Sequence, residues 1–199
     1  MTVQAVHYGT NADLIVAAAE LGYIDGRVLD PTWGRGRWWT KWKPQELVCH
    51  DMNTLDGVDF TDLPYDGPEF DTVAFDPPYK LNGTASLGDF DNAYGIDGTY
   101  VPWQDRHQLI REGLKEAARV TKHGGHVLLK CQDQVCSGKV RWQTREFADY
   151  GEQCCGLTLI DQLLLVGTAR PQPMEGRTQR FAHGRPSALL IFKRRNFDF

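Results

Sequence analysis

The apolar run Phe70-Asp71-Thr72-Val73-Ala74-Phe75 ends abruptly in Asp76-Pro77-Pro78-Tyr79. Its β-branched and aromatic content predicts a buried strand. Each proline holds φ near about −65° and lacks a backbone N–H, so neither can extend a ladder or enter a helix interior. Each also pushes the residue before it out of the helical region. The chain therefore has to turn at Asp76, leaving a carboxylate and nearby carbonyls at a strand end with no helix start beside them. Such a corner can accept hydrogen bonds from an amino group while Tyr79 stacks on a flat ring. Those are the requirements for holding the exocyclic amine of a nucleobase.

The rest of the chain alternates helical and apolar stretches, the α/β pattern. Asn11 to Leu21 predicts a helix closed by Gly22. Arg27 to Asp30, Glu46 to His50, a weak Val58 to Phe60, and Phe70 to Phe75 predict four strands. Lys80 to Trp103 is a long polar, Gly-rich loop, and loops of that length are usually functional or mobile. Asp105 to Thr121 is an amphipathic helix closed by Gly124-Gly125, and His126 to Cys131 is a fifth strand. A helix over about 142–155 and strands at Leu157 to Val166 and Ala188 to Lys193 complete the series. The expectation is one domain over 1–199 with loop insertions at about 80–103 and 167–187, and no separate target-recognition domain. Its fold class is α/β and Rossmann-like: a mostly parallel seven-stranded sheet, an antiparallel final strand and helices on both faces.

Composition narrows the function classes. At 199 residues and 41% apolar, the chain can bury a full core. It has no apolar run long enough to span a bilayer and no signal-peptide start. The cysteines are five in number with no CxxC pair, which argues against a disulfide framework and a zinc ribbon and fits a reducing cytoplasm. The histidines show no metal-ligand spacing, so no metal is expected. The net charge of −4 hides an uneven distribution. Between Gly167 and Arg195, seven basic residues face the single acid Glu175, a local excess of six. A one-sided basic surface follows.

A second strand end carries a related corner, Asp30-Pro31-Thr32-Trp33-Gly34-Arg35-Gly36. Its alternate glycines permit φ > 0 and close backbone approach, and a helix is expected to follow with free N–H groups. The turn suits a nucleotide-like ligand but lacks the third glycine of a GxGxxG fingerprint. Asp51, followed by Met52, closes the next strand, where an acid meets ribose hydroxyls in an open α/β sheet. Asp62-Leu63 follows the short third run, where an adenine ring would be read. Asp30, Gly34, Gly36, Asp51, Asp62 and Asp76 thus share the carboxyl edge at which ligands bind.

This order resembles the amino-directed DNA methyltransferases of the DPPY type, over residues 26 to 131 with the last two strands as the closing hairpin. The resemblance implies S-adenosylmethionine as cofactor and adenine N6 of DNA as target, since Asp at the first motif position goes with adenine and Ser with cytosine. N4-cytosine and RNA base methylation stand as alternatives, and a catalytically inactive cofactor-fold subunit as another class. Carried across, Asp30, Gly34 and Gly36 contact the methionine moiety, Asp51 the ribose and Asp62 the adenine. Pro31, Thr32, Met52 and Leu63 complete that set. Asp76, the Pro77 carbonyl, Pro78 and Tyr79 hold the target base. Lys80, Arg170, Arg177, Arg180 and Arg185 are the expected nucleic-acid contacts. Trp33 and Trp38-Trp39 depart from the family pattern and read as core. Lys130, in the fifth strand, either snorkels or points toward the site. Asp161 interrupts an apolar run without an evident reason.

Overall fold

The computed structural model describes residues 2–81, 101–167, 180–182 and 184–196. In chain order these form β1 (Val6–Tyr8), α1 (Asn11–Glu20), β2 (Arg27–Asp30), β3 (Glu46–Cys49), β4 (Phe70–Phe75) and α2 (Trp103–Val120). Then follow β5 (Thr121–Gln132), β6 (Gln134–Cys136), β7 (Lys139–Arg141), α3 (Gln143–Cys154), β8 (Leu157–Val166) and β9 (Ser187–Arg194). Seven strands make one sheet in the order β1-β8-β9-β5-β4-β2-β3, while β6 and β7 pair separately. Strand β9 runs antiparallel to both its neighbours, and every other pairing in the large sheet is parallel. After β2 the chain goes out to β3, then returns to lay β4 on the opposite side of β2. The β2/β4 boundary is therefore the topological switch point, and ligands of doubly wound sheets bind outside the carboxyl ends there.

The two faces follow from side-chain alternation. Val28, Ala74, Leu128, Leu189 and Ile191 face α1 together with Trp38 and Trp39. Leu29, Val73, Phe75, Leu129 and Phe192 face α2 and α3 through Ile110, Leu114 and Phe147. Gly113 lets α2 lie close to the sheet, because a Cβ there would sit 2.4 Å from Phe75 Cζ and 2.7 Å from Phe60 Cδ2.

The strand count of seven matches expectation with a different membership. Val58 to Phe60 is not a strand. Asp59 instead accepts from Thr61 N–H and Oγ1 at 2.8 Å each, turning the chain before a ladder can form. The seventh place goes to β1, which pairs with β8 at the opposite edge. The helix expected after the glycine turn is also missing; only a 3-10 turn, Arg37–Trp39, stands there. Trp38 and Trp39, at 5% and 1% exposure, supply the apolar cover in its place. Lys41 Nζ, 2.5 Å from Asp13 Oδ1, ties this segment to α1 and draws the Asp13 carboxyl down to about 2. Gly124-Gly125 does not close the helix but lies within β5, where the register with β4 jumps from Phe70↔Thr121 to Thr72↔His126. Asp161 now has a reason: it sits at the β8 irregularity after Leu159 and accepts from Tyr23 Oη at 2.9 Å.

Candidate active site

Two Asp-Pro corners meet at the switch point. The first follows β2. Asp30 is 3% exposed, and its carboxylate is answered locally. Oδ1 accepts from Thr32 N at 3.0 Å and Oγ1 at 3.4 Å, and Oδ2 accepts from Trp39 Nε1 at 2.7 Å. Burial still pushes its pKa up to about 6, because those hydrogen bonds only partly offset desolvation and Asp51 adds a like charge. Gly34 and Gly36 both take left-handed φ, 54° and 63°. At Gly36 the close approach is internal, since a Cβ there would lie 2.5 Å from Trp33 Cζ2.

The end of β3 staples this turn. Asp51 Oδ2 accepts from Gly34 N at 2.7 Å, and Oδ1 accepts from Asn53 N at 2.9 Å and Thr54 N at 2.8 Å. Thr54 Oγ1 returns a bond to Gly34 O at 2.8 Å. Met52 and Leu55 stand beside this acid, 49% and 55% exposed, as an apolar surface at the sheet edge. Asp62 and Leu63 are not delivered by a strand. Asp62 is exposed, while Leu63 is buried with its N–H donated to Glu116 Oε2 at 3.1 Å and its carbonyl accepting from Arg119 Nη2 at 3.0 Å. Both backbone groups of Leu63 are thus committed to α2.

The second corner follows β4. Asp76 and Pro77 are buried, Pro78 and Tyr79 partly so. The Asp76 N–H donates to Thr32 Oγ1 at 2.9 Å, which joins the two corners directly. The Tyr79 carbonyl accepts from two buried amides, Gln134 Nε2 at 2.9 Å and Gln143 Nε2 at 2.8 Å. Gln134 Oε1 also accepts from Leu81 N at 3.1 Å, so the segment after the prolines is held on both sides. Burial and the Asp76 charge hold the Tyr79 phenol neutral, far above its ordinary range. Lys130 does not snorkel. It is fully buried, and its Nζ lies 5.6 Å from the centre of the Tyr79 ring.

Sequence reasoning missed Gln134, Gln143 and the β6–β7 hairpin that carries the first of them. The signal was present in Ser137-Gly138, a two-residue turn flanked by the Cys136↔Lys139 pair. Their φ values of 51° and 71° match a type I′ hairpin. This hairpin also sets a cationic and aromatic rim. Arg141 stacks 3.8 Å over Trp103, and Arg185 lies 4.7 Å over Trp142, which is 51% exposed. Lys80 and Arg180 are exposed, whereas Arg170 and Arg177 lie outside the described residues.

No family model matches the sequence, and no curated protein does. Solved structures do share its fold. N-Methyltransferase NodS from Bradyrhizobium japonicum WM9, in complex with S-adenosyl-L-homocysteine, is 9% identical with a TM-score of 0.53, over 92% of this chain and 85% of that one. A putative methyltransferase from Bacillus halodurans is 14% identical, TM-score 0.53, over 92% of this chain and 99% of that one. A putative sarcosine dimethylglycine methyltransferase from Galdieria sulphuraria is 10% identical, TM-score 0.55, over 92% and 85%. The chain has the Rossmann-like fold of the class I methyltransferases.

Proposed function

We propose that this chain transfers a methyl group from S-adenosylmethionine to an exocyclic amino group of a DNA base, adenine N6. The observation that carries this reading is the Asp76-Pro77-Pro78-Tyr79 corner beside the Asp30 corner, joined to it through Thr32. A cofactor half and an amine-binding half then share one switch point.

The first half suits the cofactor. Asp30, Pro31, Thr32, Gly34 and Gly36 form the turn around its methionine moiety. Asp51 keeps lone pairs for ribose hydroxyls, and exposed Met52 offers apolar cover to an adenine ring. S-Adenosylmethionine carries no phosphate, so a three-residue 3-10 turn in place of a helix N-terminus costs it little. The NodS complex with S-adenosyl-L-homocysteine supports the same choice. When bound, this cofactor supplies an electrophilic methyl on a sulfonium.

The second half suits an amine. An amino group conjugated to its ring is a poor nucleophile, because its lone pair is delocalised. The Asp76 carboxylate and Pro77 carbonyl accept its N–H bonds and favour a pyramidal nitrogen with the lone pair aimed at the methyl. That is positioning plus electrostatics at the atom where positive charge develops. Asp76 is also the acceptor within reach of the proton the nitrogen then sheds. No covalent intermediate is needed. In a duplex the base first leaves the stack, and Tyr79 receives it.

A polymeric substrate is favoured by the rim. Arginine binds phosphates bidentately, and aromatic platforms such as Trp142 stack on splayed bases. A small amine has no use for either. The test is incubation with labelled S-adenosylmethionine and, in parallel, duplex DNA, single-stranded DNA, RNA and small amines. Label in adenine of DNA is expected. Label confined to small amines overturns the reading, and label confined to RNA overturns the choice of DNA.

A further inference from the structure

We propose that Lys130 is a positioning residue for this reaction, its ammonium holding the Asp76 carboxylate ionised and fixed beside the Tyr79 ring. The role rests on the amine-methylation reading above, but the geometry behind it is independent of substrate.

Lysine is almost never fully buried unless paired, and Lys130 is 0% exposed. Its place in the sheet identifies the partner. Phe75 of β4 pairs with Leu129 of β5 in parallel register, so the next step along both strands brings Asp76 alongside Lys130. Alternation also puts them on one face. Phe75, Leu129 and Cys131 belong to the α2/α3 side, whereas Ala74 and Leu128 belong to the α1 side. Asp76 and Lys130 have the parity of the second pair. On the other flank, Nζ donates to Ser187 Oγ at the first residue of β9. The Tyr79 ring completes the surround, 5.6 Å away in cation–π range.

Few charges bear on this ammonium among the described residues. They are Asp76 at the end of β4 and Cys131, its neighbour on β5. The Cys131 thiol is held neutral by burial, and so is the Tyr79 phenol. Strand β9 contributes only the neutral Ser187 hydroxyl. Among the described residues Asp76 is therefore the negative charge that bears on Lys130. Burial alone drives a carboxylate toward its neutral form, which is a weaker acceptor for the amine hydrogen and cannot take the proton the nitrogen sheds. The Lys130 ammonium on the neighbouring strand opposes that drift.

Burial pulls Lys130 down to about 8, with the Asp76 charge resisting. As pH rises through that value the ammonium is lost, and with it the charge that fixes the Asp76 carboxylate in place, so transfer falls. Two measurements test the role. The first uses no substrate: lysine labelled at Cε is titrated by NMR in the cofactor-free protein. Lys130 is expected to titrate near 8, and Asp76→Asn to lower its midpoint by about one pH unit, a tenfold change in proton affinity. A midpoint unmoved by Asp76→Asn overturns the coupling. The second is the pH–rate profile. Wild type loses rate about tenfold per pH unit above the Lys130 midpoint, as expected for one required proton. Lys130→Met is expected to be at least about tenfold slower at neutral pH with that alkaline limb absent and an unchanged KM for cofactor. A Lys130→Met profile that keeps the wild-type rate and limb overturns the role even with the coupling intact. Absence of methylation on every substrate, with the coupling still present, counts against the functional reading instead.

Discussion

The two Asp-Pro corners begin alike and are finished differently. Both close parallel strands at the same sheet edge, and both begin with a buried aspartate. Asp30 is answered from within its own loop, by Thr32 two residues on and Trp39 nine residues on. The corner at Asp76 is answered from across the chain. Thr32 lies 44 residues away, Gln134 lies 55 from Tyr79 and Gln143 lies 64 from it. Lys130 joins them from the neighbouring strand. In the proposed reaction the Asp30 corner, its carboxylate held by local bonds and its turn stapled by Asp51, would serve as architecture for the cofactor. The Asp76 corner, which draws its partners from the Asp30 turn, β5, β6 and α3, is fixed only once the whole fold is formed and is correspondingly preorganised for the proposed reaction.

Substitutions that separate the corners test this contrast. The largest effect is expected from Asp76→Asn. Transfer should fall roughly a thousandfold, with cofactor affinity by calorimetry within about twofold of wild type; loss of both together would make Asp76 architectural like its neighbour. Asp30→Ala should do the reverse. It strands the Trp39 indole and the Thr32 N–H without their acceptor, at about 1–3 kcal/mol each. Denaturant melts should therefore show a stability loss that Asp76→Asn lacks. Thr32→Val cuts the bond between the corners and leaves the Asp76 N–H unanswered. A loss of about 1–2 kcal/mol is expected, together with a drop in both cofactor affinity and rate.

The smallest effect is in pH. Asp30 is pushed up to about 6, above its unfolded value. The folded state thus keeps a proton that the unfolded chain has lost between about pH 4 and 6, and Asp30's own stability contribution falls as pH rises through that window. Binding runs the other way. Cofactor affinity should drop about tenfold from pH 7 to pH 5 as the carboxylate is lost; a flat affinity over that range would remove Asp30 from the cofactor turn.

Much of this was legible in the sequence because it is local. Strand runs, the terminating prolines and the acids at strand ends are encoded within a few residues, so the switch-point pair of Asp30 and Asp76 could be read directly. What was not legible depends on distance. Val58 to Phe60 reads as a strand, but the Asp59–Thr61 turn and the anchoring of Leu63 on Glu116 and Arg119 override it. β1 is a three-residue edge strand whose partner among the described residues is β8, more than 150 residues on. Alternation places Lys130 in the sheet, but whether it snorkels or is buried depends on where β9 begins, with Ser187. The Trp38-Trp39 pair could be read as core, yet not as the replacement for a helix. Ser137-Gly138 is a hairpin signal within the sequence, and the hairpin it closes carries Gln134.

The most direct test of the central claim is nucleoside mass spectrometry of duplex DNA treated with S-adenosylmethionine and either wild-type protein or Asp76→Asn. N6-Methyladenine is expected with wild type and none above background with Asp76→Asn, under conditions where both proteins bind the cofactor. Unmethylated DNA from active, cofactor-bound wild type, or equal methylation by both proteins, would contradict it.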